Sequence, residues 1–394
     1  NLLMSEDVEA AIKAIKKLGI KVNIKNKICK IYGSGLNGYK YKKNLTIDAQ
    51  NSGTLGRLLL GLLVDTKFPI KIIGDKSLSK RDFSRVTEPL KKFGVKIQSN
   101  KKLLPVKIFG SKDLKSQYYV EKKGSAQCKS SIMFAALKTP GLTKIKAKKS
   151  RDHSERMFKN LKLPINLKKT KNYDLIKING LKEFNAFDYT IPGDISSAAF
   201  FIVLTALSKN SEILIKNINI NQSRIGIISI LKKMGVTIVL KNKRTYKGEK
   251  IADIKVKSAK NIKAINCPKN IISSTIDEFL VIFLVAAKAK GISYFKGLNE
   301  LNQKESPRLI WGSKILSKMG IKNVTTKNSI KIYGNPSLKI NKKIIIQDYL
   351  KDHRVFMTSV IAALSFGGVW SIGNPEAIKT SFPNFLKIIN QLKK

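Results

Sequence analysis

One local pattern recurs along the chain and restricts the folds that it can adopt. An amphipathic stretch of Lys, Leu and Ile is followed by glycine and then by a β-branched residue that opens an alternating run. The pattern occurs as AIKKLGIKV, LKKFGVKI, LKKMGVTIV and LSKMGIKNV. The amphipathic stretch predicts a helix, the glycine predicts its left-handed C-terminal cap, and the alternating run predicts a strand.

The spacing of these glycines indicates an internal repeat. They stand at positions 19, 94, 235 and 320, so copies lie 75 or 85 residues apart, with one gap of 141 that fits two units. Degenerate copies at Phe158–Leu167 and Ile388–Lys394 bring the number of units to six. Strands alternating with amphipathic helices predict an α/β protein. Six units group naturally as three plus three, which predicts domains at 1–191 and 192–394, with a cleft between them suited to a small ligand.

The charge of the chain is extreme. Its 394 residues hold 76 Lys and Arg against 26 Asp and Glu, a formal net charge of +50. Lysine is spread almost evenly rather than concentrated on one element with interleaved aromatic residues, as is usual in nucleic-acid binders. We therefore interpret the charge as a solvated lysine-rich surface and expect no nucleic-acid partner, although nucleic-acid binding driven by counterion release stays open on charge alone.

Other features bear on the location of the protein. No run of 18 apolar residues exists, and the apolar stretches at Ala198–Leu207 and Phe279–Ala287 fit buried helices or strands better than a membrane span. Cys29, Cys128 and Cys267 have neither disulfide-framework nor metal-ligand spacing. We expect a cytoplasmic protein in a reducing compartment, without a membrane association.

The arginines are few and differently placed. Only nine of the 76 basic residues are arginine, and most stand in short segments with Gly, Ser, Asp or Glu. Guanidinium groups suit bidentate recognition of carboxylates and phosphates, so these segments favour a small anionic ligand. One segment, NSGTLGR, precedes an apolar run, where backbone amides at a helix N-terminus could meet an anion or simply form a cap.

Two further polar segments are ambiguous when taken alone. In NQKESPR, Glu305 stands between Lys304 and Arg308. By itself this arrangement fits a surface ion-pair cluster as well as a functional carboxylate. His153 and His353 each lie between an aspartate and a guanidinium, which is more typical of a structural role than of a metal site, so we expect no metal.

Taken in order, nine segments resemble those of the 5-enolpyruvylshikimate-3-phosphate synthases, of the enolpyruvyltransferase superfamily. They are NSGTLGR, GDKSLSKRDFSRVTEPL, GSAQCKSSIMFAAL, SRDHSERM, PGDISSAAFF, IDEFLVIFLVAA, ELNQKESPRL, DHRVFMTSVIAAL and TSFPNF. The resemblance spans essentially the whole chain. It implies a two-domain inside-out α/β barrel with three βαβαββ units in each pseudo-symmetric half, which agrees with the six units counted from the repeat.

The resemblance also implies a reaction. Such enzymes transfer the enolpyruvyl group of phosphoenolpyruvate to the 5-hydroxyl of shikimate 3-phosphate and release phosphate, in chorismate and aromatic amino-acid biosynthesis, without a cofactor or metal. By motif, the residues that look like phosphoenolpyruvate contacts are Gly53, Arg81, Arg308 and Arg354. Those that look like shikimate 3-phosphate contacts are Ser125, Ala126, Gln127, Arg151, Asp277 and Lys304. Asp277 is the expected base for the hydroxyl, and Glu305 the expected proton donor and acceptor at C3.

The resemblance has one gap. Members of the family carry a Lys-Ser motif of the kind PGDKSxSHR upstream of the segment that here reads NLLMSED. Because that lysine touches both substrates in the family, we expect little activity from the chain as printed. Gly53 implies sensitivity to glyphosate in a complete enzyme, since alanine at this position crowds that inhibitor.

Two alternatives remain open at the level of sequence. The sister enzyme that acts on UDP-N-acetylglucosamine shares the fold but presents a reactive cysteine on a mobile loop, whereas Cys128 lies in the SAQ-type segment. An inactive, lysine-rich relative that binds nucleic acid also fits the charge, but it does not explain the order of the motifs. We expect a monomer.

Overall fold

The computed structural model describes residues 1–36 and 38–392. The chain folds into two compact units, unit 1 at Asn1–Ile191 and unit 2 at Pro192–Lys394. Each unit builds its own hydrophobic core from the apolar faces of its helices and sheets.

Unit 1 alternates helices with strands. Its helices are α1 (Glu6–Lys17), α2 (Gly53–Leu62), α3 (Ser84–Lys91), α4 (Ala126–Leu137) and α5 (His153–Asn160). Its strands are β1 (Lys21–Lys25), β2 (Ile28–Tyr32), β3 (Leu45–Asp48), β4 (Ile70–Ile73), β5 (Lys96–Asn100), β6 (Leu103–Phe109), β7 (Tyr118–Glu121), β8 (Leu142–Lys148), β9 (Ile165–Lys169) and β10 (Tyr173–Asn179).

The sheets of unit 1 show the repeat directly. β3, β4, β6 and β5 form one four-stranded sheet in that order, and β7, β8, β10 and β9 form another. In each sheet the first pair of strands is parallel and the other pairs are antiparallel. Helices α2 and α4 make the crossovers between the parallel strands, as βαβ connections require. Both sheets are therefore βαβαββ units, and α1 with the β1–β2 hairpin precedes them.

Unit 2 repeats the arrangement. Its helices are α6 (Ile195–Leu207), α7 (Gly226–Lys233), α8 (Phe279–Ala287), α9 (Arg308–Lys318), α10 (His353–Phe366) and α11 (Phe385–Leu392). Its strands are β11 (Glu212–Asn219), β12 (Ile238–Tyr246), β13 (Glu249–Lys257), β14 (Gly291–Lys296), β15 (Asn323–Thr325), β16 (Ser329–Gly334), β17 (Lys343–Ile346) and β18 (Val369–Ile372). The sheets β11-β13-β12 and β14-β16-β15 are antiparallel, with isolated parallel bridges where the first strand of each unit would lie, and β17 is parallel to β18.

The predicted helix, cap and strand pattern is confirmed at each full copy. Gly19, Gly94, Gly235 and Gly320 follow α1, α3, α7 and α9 with φ angles of 84° to 94°, a region that favours glycine. In the degenerate copy at Phe158–Leu167, Lys162 takes this position between α5 and β9 with a φ of 55°. The copy at Ile388–Lys394 falls in α11, and its last two residues lie outside the described residues.

The two long apolar stretches form helices rather than strands. All nine residues of α8 are buried, and eleven of the thirteen residues of α6 are buried. Helices that are apolar on every side pack in the interior of a protein, and both belong to the core of unit 2. In the part of the chain that the structure describes, no helix has the length and apolar character needed to cross a membrane.

Candidate active site

In unit 1, two polar loops are tied together at the start of α2. Ser52 caps this helix, and its hydroxyl accepts a hydrogen bond from the Leu55 amide at 3.3 Å. Asn51 Nδ2 donates to Asp75 Oδ2 at 2.6 Å, and the Asp75 amide donates to the Gln50 carbonyl at 2.9 Å. These bonds hold the loop that carries Gly53 against the loop that leads to Arg81.

Gln127 joins the N-termini of α2 and α4. Its Oε1 accepts from Arg57 Nη1 at 2.7 Å, and its Nε2 donates to Thr54 Oγ1 at 2.8 Å. Ser125 caps α4 by accepting from the Cys128 amide, and Ala126 is the first helical residue. The structure therefore brings the NSGTLGR and GSAQ segments together. Sequence reasoning missed Arg57, although it closes the first of these motifs.

Two guanidinium groups flank Gly53. A Cβ placed on Gly53 would lie 2.8 Å from Arg57 Nη1 and 3.1 Å from Arg81 Nη1. The Arg57 guanidinium also lies over the Phe83 ring, 5.1 Å from its centroid, which adds a cation–π contact. Positive charge is thus concentrated beside a glycine at a helix N-terminus, an arrangement that suits an anion.

Arg151 belongs to the same unit. It stands two residues before α5, and its carbonyl accepts a hydrogen bond from Lys129 Nζ on α4 at 3.0 Å. Lys129 Nζ also lies 2.5 Å from Glu155 Oε1. Sequence reasoning did not single out Lys129 or Glu155.

In unit 2, the predicted residues converge on Arg308. Its side chain is only 2% exposed. Nε donates to Asp352 Oδ2 at 2.8 Å, Nη1 lies 3.4 Å from Asp277 Oδ1, and Nη2 donates to Glu305 as well as to Asp352. One guanidinium thus holds both candidate proton-transfer carboxylates and a third, fully buried one.

Lys304 and Arg354 complete this cluster. Lys304 Nζ lies 3.2 Å from Asp277 Oδ1, and Arg354 Nη1 donates to the Asp277 carbonyl at 2.8 Å. Asp352 caps α10 by accepting from the Arg354 amide at 2.9 Å, which sets the arginine in the first turn of that helix. All five residues predicted for this half of the chain are therefore interconnected. We call Asp277, Lys304, Glu305, Arg308 and Arg354 the unit 2 cluster.

A further carboxyl, Glu278, lies against this cluster and was also missed. It is buried, accepts a hydrogen bond from Ser196, and lies 3.9 Å from Arg354 Nη1. Burial raises the pKa of Glu278, and Asp277 adds to this, while Arg354 opposes it. Arg224 Nη2 donates to Ser196 Oγ at 2.7 Å, so the PGDISS segment is connected to the cluster through Glu278.

The charge state around Arg308 follows from these contacts. Burial alone would raise the pKa of Asp352, but the Arg308 guanidinium outweighs it and brings this pKa below its ordinary value. The three carboxylates in turn raise the pKa of Arg308 against the effect of burial. Burial, Arg354 and Arg308 lower the pKa of His353 to about 4, so its imidazole is neutral at pH 7.

The pKa of His353 leads to a prediction about acid stability. His353 binds a proton near pH 6.5 in the unfolded chain and only near pH 4 in the folded one. Its contribution to the free energy of unfolding is therefore intact above pH 6.5 and is lost as the pH falls from 6.5 to 4. Between pH 7 and pH 5, we expect the wild type to lose about 2 kcal/mol more unfolding free energy than His353→Gln. Urea unfolding at both pH values measures this difference, and equal losses in the two proteins would contradict it.

Comparison with known proteins shows the family of the chain. The family model described as EPSP synthase (3-phosphoshikimate 1-carboxyvinyltransferase) matches residues 1–389. The chain belongs to the EPSP synthase family. The 3-phosphoshikimate 1-carboxyvinyltransferase of Ruthia magnifica subsp. Calyptogena magnifica is 41% identical over 99% of this chain and 88% of that protein. The enzyme of the same name from Thermoanaerobacter sp. (strain X514) is 39% identical over all of this chain and 90% of that protein.

Solved structures extend the comparison to the fold. EPSP synthase from Acinetobacter baumannii has a TM-score of 0.85 and 35% identity, covering 99% of this chain and 88% of that one. The enolpyruvyl transferase NikO from Streptomyces tendae shares the fold at 13% identity, with a TM-score of 0.74 over 99% of this chain and 87% of that one. The family, the fold class and the transferase activity predicted from the sequence are therefore confirmed.

Within the EPSP synthase family, Cys128 can be interpreted directly. Its side chain is buried, and burial raises its pKa despite the nearby Arg85 and Arg57, so the thiolate that a reactive cysteine requires is disfavoured. This environment does not suit the reactive cysteine of the sister enzyme. Among residues 1–36 and 38–392, no group of three or more His, Cys, Asp or Glu side chains is placed to hold a metal ion.

Proposed function

We propose that the chain transfers the enolpyruvyl group of phosphoenolpyruvate to the 5-hydroxyl of shikimate 3-phosphate with the residues assembled in its two units. The observation that carries these residue roles is the unit 2 cluster, where Arg308 contacts Asp277 and Glu305 at once. Enolpyruvyl transfer needs one base and one acid within reach of the reacting atoms, together with cations for anionic substrates. The cluster contains all of these groups.

Phosphoenolpyruvate is assigned to the guanidinium groups. In unit 1, Arg81 and the helix N-terminus at Gly53 bind its anionic groups, and Arg57 supports the same surface beside Gly53. In unit 2, Arg354 and Arg308 take the corresponding role. Arg308 is buried and held in place by Asp352, which gives its guanidinium a fixed direction before substrate arrives.

Shikimate 3-phosphate is assigned to residues at the N-termini of α4 and α5 and to two residues of unit 2. Ser125, Ala126 and Gln127 offer a hydroxyl, a helix N-terminus and a side-chain amide, and Arg151 offers a guanidinium for phosphate. Lys304 and Asp277 complete the set. The hydrogen bonds from Gln127 to Thr54 and Arg57 connect this site with the phosphoenolpyruvate site at Gly53.

The proton transfers follow from the two carboxyl groups. Asp277 removes the proton of the 5-hydroxyl of shikimate 3-phosphate as the hydroxyl oxygen forms a bond to C2 of phosphoenolpyruvate. At the same time Glu305 donates a proton to C3. The tetrahedral intermediate then loses phosphate as Glu305 takes back one proton from C3, which restores the double bond. Each transfer is of a kind that contributes about 10²–10⁴-fold to the rate.

Replacing Gly53 by alanine tests the phosphoenolpyruvate assignment. The new methyl group would approach Arg57 and Arg81 at 2.8 and 3.1 Å, so both guanidinium groups must shift. We expect KM for phosphoenolpyruvate to rise about 10-fold, a loss of about 1.4 kcal/mol of binding, with KM for shikimate 3-phosphate almost unchanged. We also expect weaker inhibition by glyphosate. Gly56→Ala, one turn further along α2 against Phe83, is the control, and an equal rise of KM in both variants would contradict the assignment.

The function is tested by phosphate release from phosphoenolpyruvate, measured with and without shikimate 3-phosphate. We expect release only when shikimate 3-phosphate is present. UDP-N-acetylglucosamine as the acceptor is the control. Equal turnover with that acceptor, or release that needs no acceptor, would contradict the proposal.

Location and assembly are part of the proposal. Every side chain assigned a role belongs to this one chain, so a monomer can carry them all, which light scattering can test. The three free thiols agree with a reducing cytoplasm, where they persist unpaired. No assigned role requires nucleic acid.

A further inference from the structure

Lys129 and Glu155 form a buried ion pair beside the Arg151 backbone. The side chains are 0% and 1% exposed, and Nζ lies 2.5 Å from Oε1. Lysine and glutamate are almost never fully buried unless they are paired. The same ammonium donates to the Arg151 carbonyl at 3.0 Å, so one group holds both a side chain and a backbone segment.

A second contact joins the same two helices. Ser130 Oγ and Ser154 Oγ, the neighbours of the ion pair in sequence, are 2.7 Å apart. The N-terminus of α4 is therefore attached to the N-terminus of α5 at two successive positions. These termini carry Ser125 and Gln127 on one side and Arg151 on the other.

Stability alone does not account for the charges. Replacing a buried ion pair by apolar residues of similar volume is often neutral or stabilising. An apolar pair, however, offers no donor to the Arg151 carbonyl. The Lys129 ammonium therefore does what an apolar side chain cannot do: its hydrogen bond fixes the position of the backbone at Arg151.

We infer that Lys129 and Glu155 are positioning residues that set Arg151 at the correct distance from Ser125 and Gln127 for shikimate 3-phosphate. The inference rests on the proposed function, because it needs that substrate to occupy these residues. Glu155 acts through Lys129: its carboxylate directs the ammonium, and the ammonium holds the Arg151 carbonyl. Burial raises the pKa of Glu155 while Lys129 opposes this, in keeping with a direct interaction of the two groups.

The test separates position from stability. In Lys129→Met/Glu155→Met both charges are removed together, so the thermal midpoint should fall by less than about 4 °C, while Kd for shikimate 3-phosphate in calorimetric titration should rise at least about 10-fold. Glu155→Gln keeps an acceptor for Lys129 and hence the bond to Arg151. We expect its Kd to stay within about threefold of the wild type even though its thermal midpoint falls further, since it leaves a buried charge without a counter-charge.

The other end of α4 supplies a matched control. Lys138 Nζ contacts Asp65 Oδ1 at 2.7 Å and also donates to a backbone carbonyl, that of Leu36, at 2.6 Å. Lys138→Met/Asp65→Met removes the same chemistry away from Arg151, and we expect Kd within about twofold of the wild type. If the first double variant does not fold, Lys129→Gln/Glu155→Gln replaces it. The two amides of this variant keep a neutral hydrogen bond between the helices. The glutamine side chain is one atom shorter than lysine, however, so it cannot reach both residue 155 and the Arg151 carbonyl. We therefore expect the same rise in Kd.

The outcomes distinguish the two proposals. A wild type that binds no shikimate 3-phosphate would overturn the proposed function and this inference together. If the wild type binds and the charge-free variant binds equally well, the inference alone falls. A rise of Kd that follows the thermal midpoint across all variants, including Glu155→Gln, would also overturn it, because a purely structural role predicts that correlation.

Discussion

Replacing Asp277 by asparagine is expected to lower kcat by about 10²–10⁴-fold, because a side-chain amide cannot accept the proton of the 5-hydroxyl. The substitution preserves size, and the amide oxygen can still accept from Lys304 and Arg308, which contact Asp277 at 3.2 and 3.4 Å. Kd for shikimate 3-phosphate should therefore change less than about threefold, or 0.7 kcal/mol. Phosphate release and calorimetric titration measure the two quantities.

The control for this prediction is Glu212→Gln. Glu212 is a half-exposed carboxylate that pairs with Lys255 and Lys257 on the surface of unit 2, and we expect its replacement to leave kcat unchanged. A near-normal kcat in Asp277→Asn would show that Asp277 is not the base. A loss of binding equal to the loss of rate would assign Asp277 to substrate binding alone.

Replacing Arg308 by methionine is expected to have the largest effect on stability. It leaves the fully buried Asp352 without the guanidinium that neutralises it. Breaking a buried ion pair by removing one partner typically costs about 3–5 kcal/mol. Urea unfolding should show a loss of this order, and phosphate release should disappear as well, since Asp277 and Glu305 lose their common contact.

The double variant Arg308→Met/Asp352→Leu separates the two effects. It removes the buried charge together with its partner, so we expect most of the stability to return while phosphate release stays absent. Lys255→Met, which breaks a partly exposed pair, should leave the stability almost unchanged. A loss below 1 kcal/mol in Arg308→Met would contradict the account of this cluster, as would recovered turnover in the double variant.

Much of the fold could be predicted from the sequence because local signals and tertiary structure agree. Glycine after an amphipathic run correctly marked four helix ends. The copy without glycine keeps the same turn, with Lys162 in the left-handed backbone conformation. The apolar runs of α6 and α8 could not be assigned to helix or strand, because a segment that is buried on all sides loses its periodicity.

The site was predicted by motif, and its contacts were not. Arg308 was expected to face phosphoenolpyruvate, but its predominant contacts here are with carboxylates, and its partner Asp352 is 44 residues away in sequence. Arg57 and Gln127 are 70 residues apart. Sequence order carries no information about such distances, so the residues that position a ligand-binding group are those that motif reasoning misses.

The most direct test of the proposed chemistry is to run the reaction in D₂O and analyse the product by mass spectrometry. If Glu305 protonates C3 and later removes one of three hydrogens, deuterium enters the methylene group of the enolpyruvyl product. We predict deuterated product from the wild type and no product from Glu305→Gln. Product formed in D₂O without deuterium at that carbon would contradict the account.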